Sequence, residues 1–130
     1  MNRYSRILAL VVLLVLVAAG GCTAGKWNRY ELFMGQTSNE GKHRVSAREW
    51  QSFLQSEVTP KFQSGYTVYD AEGFWAGKGM TYSERSKVLM VVSPDKDAEE
   101  RIDSIAAAYK DRFKQDSVLK IVTPAQVDFK

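Results

Sequence analysis

Two charged side chains fall inside stretches that read as β-strand: Glu31, within Tyr30-Glu31-Leu32-Phe33-Met34, and Lys87, at the head of Lys87-Val88-Leu89-Met90-Val91-Val92. A carboxylate and an ammonium side by side among apolar residues form either an ordinary surface ion pair or a desolvated pair lining a pocket or interface. The first contributes about 0 to 1 kcal/mol; in the second, removing one partner leaves a buried uncompensated charge and costs several times more. Trp75 and Tyr82 are the aromatic residues best placed to line such a pocket, because Gly73, Gly77 and Gly79 break the chain around them into an extended loop or irregular hairpin. His43, the single histidine, has no cysteine, second histidine or acidic pair at ligand spacing, and Glu40 is its nearest acid. It reads as a solvated loop residue, and neither a metal nor a cofactor is expected. No serine stands in a nucleophile elbow, and no glycine-rich loop has the strand-to-helix setting that cradles phosphate. The residue set therefore points away from an enzyme more than towards one.

Cys22, the only cysteine, carries a different chemistry, because its sulfur can be acylated. Arg3 and Arg6 precede an apolar run from Ile7 to Val17, and Ala18 to Gly21 form a small-residue exit, which is the layout of a secretory signal peptide. The run is shorter than the roughly 20 apolar residues of a membrane-spanning helix. Ala19-Gly20-Gly21-Cys22 resembles the lipobox of bacterial lipoproteins, with Ala19 where Leu, Val or Ile is usual. The resemblance implies cleavage before Cys22 and attachment of fatty acyl chains such as palmitate. The other outcome is an ordinary signal-peptidase cut that leaves a free thiol. One acyl chain holds a protein marginally, whereas several hold it firmly. The expected organisation is a signal peptide over residues 1–21, a lipidated tether over 22–26 and one domain over 27–130. The expected location is the bacterial cell envelope, on the periplasmic side in a Gram-negative cell.

With no second cysteine the domain must be held together by packing alone, and roughly one hundred residues suffice for one core. The whole chain has 18 basic and 15 acidic residues. Loss of Arg3 and Arg6 with the leader leaves 16 against 15, a net charge of +1. A near-neutral domain with both signs interspersed has no electrostatic footprint for nucleic acid.

The elements that must position Glu31 and Lys87 follow from periodicity. Trp27 to Gly35 alternates and reads as a first strand, and polar Gln36 to Arg44 as a loop. Ser46 followed by Glu49 forms a capping box, with Val45 and Trp50 at the staple positions. Trp50, Phe53, Leu54 and Val58 then line one side of a helix that Pro60 ends. Tyr66 to Ala71 reads as a second strand, running on towards Trp75. Lys87 to Val92 is apolar on both faces, as in a central strand, and Pro94 stops it. Asp95 and Asp97 offer N-caps to a second helix with a buried stripe of Ile102, Ile105, Ala106, Tyr109 and Phe113. Val118 to Val122 is the fourth strand, and Pro124 to Lys130 a short edge or tail.

The order strand, helix, strand, strand, helix, strand predicts the split βαβ, or ferredoxin-like, α+β fold: a four-stranded antiparallel sheet with both helices on one face. If Tyr30, Leu32 and Met34 face the helices, Glu31 and Phe33 face outward. Carried to the third strand, the same parity turns Val88, Met90 and Val92 inward, and Lys87, Leu89 and Val91 outward beside Glu31. Phe33, Leu89, Val91, Val118 and Val122 would then leave a bare apolar patch, and such patches mark partners. Two copies could pair sheet to sheet as a homodimer, or the segment Glu72 to Tyr82 could fold over the face, alone or as a lid on a small apolar ligand. The leading expectation is a membrane-anchored, non-enzymatic module that binds or self-associates through this face. The alternative resembles cofactor-independent monooxygenases of the dimeric α/β-barrel type, with Glu31, Lys87, Trp75 and Tyr82 around a pocket.

A longer resemblance spans nearly all of the chain beyond the leader. Tyr30 to Gly35, Val45-Ser46, Glu49-Trp50, Phe53-Leu54 and Glu57 to Pro60 begin an ordered series of short matches. It continues through Thr67-Val68, Asp70-Ala71, Trp75 and Ser86 to Leu89, and ends at Ala108-Tyr109, Arg112-Phe113, Ser117 to Leu119 and Thr123-Pro124. The series resembles a bacterial family of exported proteins, domain of unknown function 3574. The resemblance implies lipoprotein-like export and supplies no reaction and no catalytic residue.

Overall fold

The computed structural model describes residues 26–38 and 41–130. The expected signal peptide, Cys22 and all of the expected tether but Lys26 lie outside them. Among the described residues four strands are present: β1 (Trp27–Gly35), β2 (Thr67–Gly77), β3 (Met80–Ser93) and β4 (Leu119–Ala125). Helix α1 (Ala47–Phe53) runs into a π-helical turn over Leu54–Val58, and α2 is Ala98–Phe113. The sheet order is β2-β3-β1-β4 with every neighbour antiparallel, the split βαβ topology expected from the element order.

Local signals build the helices. The Ser46 hydroxyl accepts from the Glu49 amide at 3.3 Å, and the Glu49 carboxylate accepts from the Ser46 amide at 2.8 Å. Both free amides at the start of α1 are thereby satisfied. Beyond Phe53 the helix widens, and the Thr59 amide reaches back to the Leu54 carbonyl at 2.8 Å while Leu54 and Val58 stay buried. At α2, neither Asp95 nor Asp97 caps with its side chain as expected. Both instead hold Arg101, at 2.6 and 2.9 Å. Arg101 also donates to the Lys61 carbonyl at 2.5 Å and lies over the Phe62 ring, tying α2 to the segment after α1.

The core lies between the helices and one sheet face. Tyr30, Leu32 and Met34 of β1 and Leu89 and Val91 of β3 pack there against Trp50, Phe53, Ile102, Ile105, Tyr109 and Phe113. The register pairs Leu32 with Leu89 and Tyr30 with Val91, and paired residues share a face. This overturns the expectation that Leu89, Val91 and Lys87 point outward. Val88, Met90 and Val92 take the outer face instead. Strand β3 is apolar on both sides, so alternation alone could not choose between its faces; the pairing with β1 does. Val122, paired with Tyr30, likewise lies on the helix side, and Val118 packs against the core. Leu119, Ile121, Thr123 and Ala125 are the outward residues of β4.

The segment Glu72 to Tyr82 is neither a loop nor a cover over the sheet. β2 and β3 continue through it as one long hairpin closed at Lys78-Gly79. Both turn residues have positive φ, 50° and 77°, the geometry whose twist matches a two-residue hairpin. The hairpin runs past the end of β1, whose last pair is Gly35 with Ser86.

Candidate functional site

The helix-free face is built from alternate residues of four strands. Arg29, Glu31 and Phe33 come from β1, and Ile121 and Leu119 stand opposite the last two on β4. Val88, Met90 and Val92 come from β3, and Thr67 and Tyr69 from β2. Leu119 is 58% exposed and Ile121 38%, whereas Val88 is completely buried although it lies outside the helix-side core. Tyr69, paired with Val88, reaches across β3 to Glu31 on β1.

Glu31 is the polar centre of this face. Its Oε1 accepts from the Tyr69 hydroxyl at 2.7 Å and from the Arg29 guanidinium at 2.7 Å. Its side chain is only 12% exposed. The Tyr69 hydroxyl bond, followed by Arg29, holds the carboxyl below its ordinary titration range, against the opposing effect of burial. The same bond to Glu31 pushes Tyr69 up, so the phenol stays a neutral donor. Glu31 is thus a fixed anion at neutral pH. A general base works best with a pKa near the working pH, and a carboxylate held down by two donors is poorly suited to proton transfer. Both bonds fall on Oε1, which leaves Oε2 for solvent or for a donor from another molecule.

Lys87 is not beside Glu31. It lies on the other face, opposite Asp70, and its ammonium bonds that carboxylate. There it borders a groove of about 590 Å³ with Gln36, Arg44, Val45 and Trp50. The residue opposite Glu31 on β3 is Met90. Leu89 and Val91 are core residues, so the expected set keeps only Glu31, Phe33, Trp75 and Tyr82 on the open side. Trp75 and Tyr82 form a cross-strand stack on the hairpin, 5.6 Å between centroids and 17° apart in plane. Trp75 joins Phe33, Glu84 and Leu119 around a shallow groove of about 710 Å³. The residue missed in the sequence is Tyr69. Its alternation with Val68 and Asp70 was visible, but nothing in β2 alone says that it reaches across a neighbouring strand.

Among the described residues no group of three or more His, Cys, Asp or Glu is arranged to hold a metal ion, and no helix is long and apolar enough to cross a membrane.

The class is therefore an α+β domain of ferredoxin-like topology, with one sheet face under two helices and the other open. The profile of the family described as Protein of unknown function (DUF3574) matches residues 29–129, and the chain belongs to that family. No curated protein sequence matches it. Among solved structures it is similar to a phage SAM lyase in complex with S-methyl-5'-thioadenosine, at 14% identity over 78% of this chain and 83% of that one, with a TM-score of 0.57. It is also similar to the periplasmic divalent cation tolerance protein CutA from Archaeoglobus fulgidus, at 10% identity over 80% and 88% of the two chains, with a TM-score of 0.51. Likeness at such identities shows a shared fold.

Proposed function

We propose that this protein is an exported, lipid-anchored domain of the bacterial envelope that works as a non-enzymatic self-association module, with the helix-free sheet face as its contact surface. The observation that carries this reading is the composition of that face. Phe33, Met90, Val92, Leu119 and Ile121 surround a fixed anion, Glu31; both helices lie on the other side of the sheet, and the C-terminal segment reaches this face at its Trp27 end, where Phe129 meets the Trp27 ring at 5.9 Å beside Met90 and Val92. Apolar surface of this kind on a sheet commonly marks an interface, and a two-fold pairing needs only one self-complementary patch. The free Oε2 of Glu31 offers each protomer one directional contact within an otherwise greasy surface. The likeness to CutA and to the phage lyase supports the fold that exposes this face.

Light scattering on a soluble form beginning at Lys26 tests the association: a mass above one protomer is expected, reduced to one protomer by Ile121→Glu with unchanged circular dichroism. A single-protomer mass for the unaltered chain would remove the reading. The anchor is tested separately by globomycin sensitivity and by palmitate labelling that Cys22→Ala abolishes. Label persisting in Cys22→Ala would reject it.

A further inference from the structure

A second surface lies at the end of β1 away from the tether. The chain enters the domain at Trp27 and crosses the sheet along nine residues of β1, roughly 30 Å at the usual rise per residue. At the far end the Tyr109 hydroxyl donates to the Gly35 carbonyl at 2.7 Å, and the Gln115 amide to the Thr37 carbonyl at 2.7 Å. These bonds pin the end of α2 beside the loop that follows β1. Between that loop, the first turns of α1 and the end of α2 opens a groove of about 940 Å³, lined by Lys42, His43, Arg48, Arg112 and Lys114, with Glu49 the one acid among the described residues that line it.

Five basic side chains around one concavity are a marked concentration in a chain whose charges otherwise nearly cancel. Glu49 offsets part of this charge but is tied down: its carboxylate accepts from the Ser46 amide at 2.8 Å and the Ser46 hydroxyl at 2.7 Å, and pairs with His43 at 3.0 Å, so it does not reach over the arginines and Lys114. Arg112 is held in place by Glu57 at 3.0 Å and Ser56 at 3.2 Å, with its guanidinium over the Phe53 ring. It is a positioned charge and not a swinging one. Arg48 has no hydrogen bond or ion pair among the described residues. Lys114, 75% exposed, has only Asp111 at 3.7 Å. A cleft lined by one sign of charge focuses its field on a counter-ion, and arginine forks match phosphate oxygens in pairs.

We propose that this groove binds a soluble multivalent oxyanion of the phosphate class. Lys42, Arg48, Arg112 and Lys114 place four permanent charges around the groove, more than one phosphate can touch. On the anchored reading above, the groove is also held clear of the protein's own membrane, which favours a soluble ligand over a lipid headgroup. The proposal is tested by isothermal titration of the mature chain with inorganic pyrophosphate. Saturable binding is expected, weakening with added salt, and reduced about tenfold or more when Arg48→Ala and Lys114→Ala are combined. Lys96→Ala, between β3 and α2 and outside the groove, is expected to bind as the unaltered chain does. Absence of saturable binding, an unaffected double variant, or an equal loss in Lys96→Ala would each overturn it. None of these outcomes depends on self-association, so the two readings fail separately.

Discussion

The two faces of the sheet are made by the same strands yet obey different rules. On the helix side every central position is filled: Leu32, Met34, Leu89 and Val91 are at most 1% exposed, and aromatic rings of α1 and α2 close over them. On the open side burial comes from neighbours within the sheet and, at the Trp27 end, from Phe129 of the C-terminal segment. Tyr69 reaches across β3 to Glu31 and Val88 is fully buried, while Leu119 and Ile121 are left bare. The same apolar residue type thus stabilises the protomer on one face and is available to a second molecule on the other.

Substitution should separate these roles. Leu89→Ala opens a cavity in the closed core and should cost about 2–5 kcal/mol of protomer stability in urea unfolding. Leu119→Ala should change the same measurement by no more than about 0.5 kcal/mol. Equal losses would erase the distinction between the faces. Next in size is Tyr109→Phe. The Tyr109 hydroxyl accepts from Gln36 at 3.0 Å and donates to Gly35, and burial first of all pushes its titration upward. Its removal takes one of two partners from the buried Gln36 amide and the side-chain donor from the half-buried Gly35 carbonyl, for an expected loss of about 1–3 kcal/mol.

On the open face the corresponding polar deletion is milder. Tyr69→Phe removes the strongest influence holding down the Glu31 titration but leaves Arg29, at an expected cost of about 1 kcal/mol. The folded-state pKa of Glu31 lies below its ordinary 4.5, so its contribution is present above that value and lost as pH falls through the lowered one. Unfolding measured from neutrality into acid should show a smaller acid-side loss in Tyr69→Phe than in the unaltered chain. Identical profiles would mean that the hydroxyl does not hold the carboxylate. Smallest of all is Lys78→Asn at the hairpin tip. Asparagine tolerates the positive φ of that position better than lysine, so a gain of a few tenths of a kcal/mol is expected in thermal unfolding.

Much of the fold was legible because its signals are local. Ser46 and Glu49 marked a helix start within four residues, and the Ile102 to Phe113 stripe marked a buried helix by its spacing alone. The misreading arose where information is non-local. Val88 to Val92 carries apolar residues on both sides, so only the pairing of Leu32 with Leu89 could assign its faces, and an error of one residue moved Lys87 to the wrong side. Glu31 and Phe33 survived because β1 does alternate. Tyr69 was out of reach because its role depends on the width of β3, which no single strand encodes. The extended hairpin did have a signal, Lys78-Gly79 between alternating residues, hidden among three glycines.

Oxidative footprinting of the Lys26 form across a concentration series, read at Met90, Trp75 and Phe74, tests self-association through the open face most directly. Met90 and Trp75 lie on that face, and Phe74 points the other way along the hairpin. The expected result is protection of Met90 and Trp75 as concentration rises, with Phe74 unchanged and the protection abolished in Ile121→Glu. Labelling of all three residues that does not vary with concentration would contradict the account.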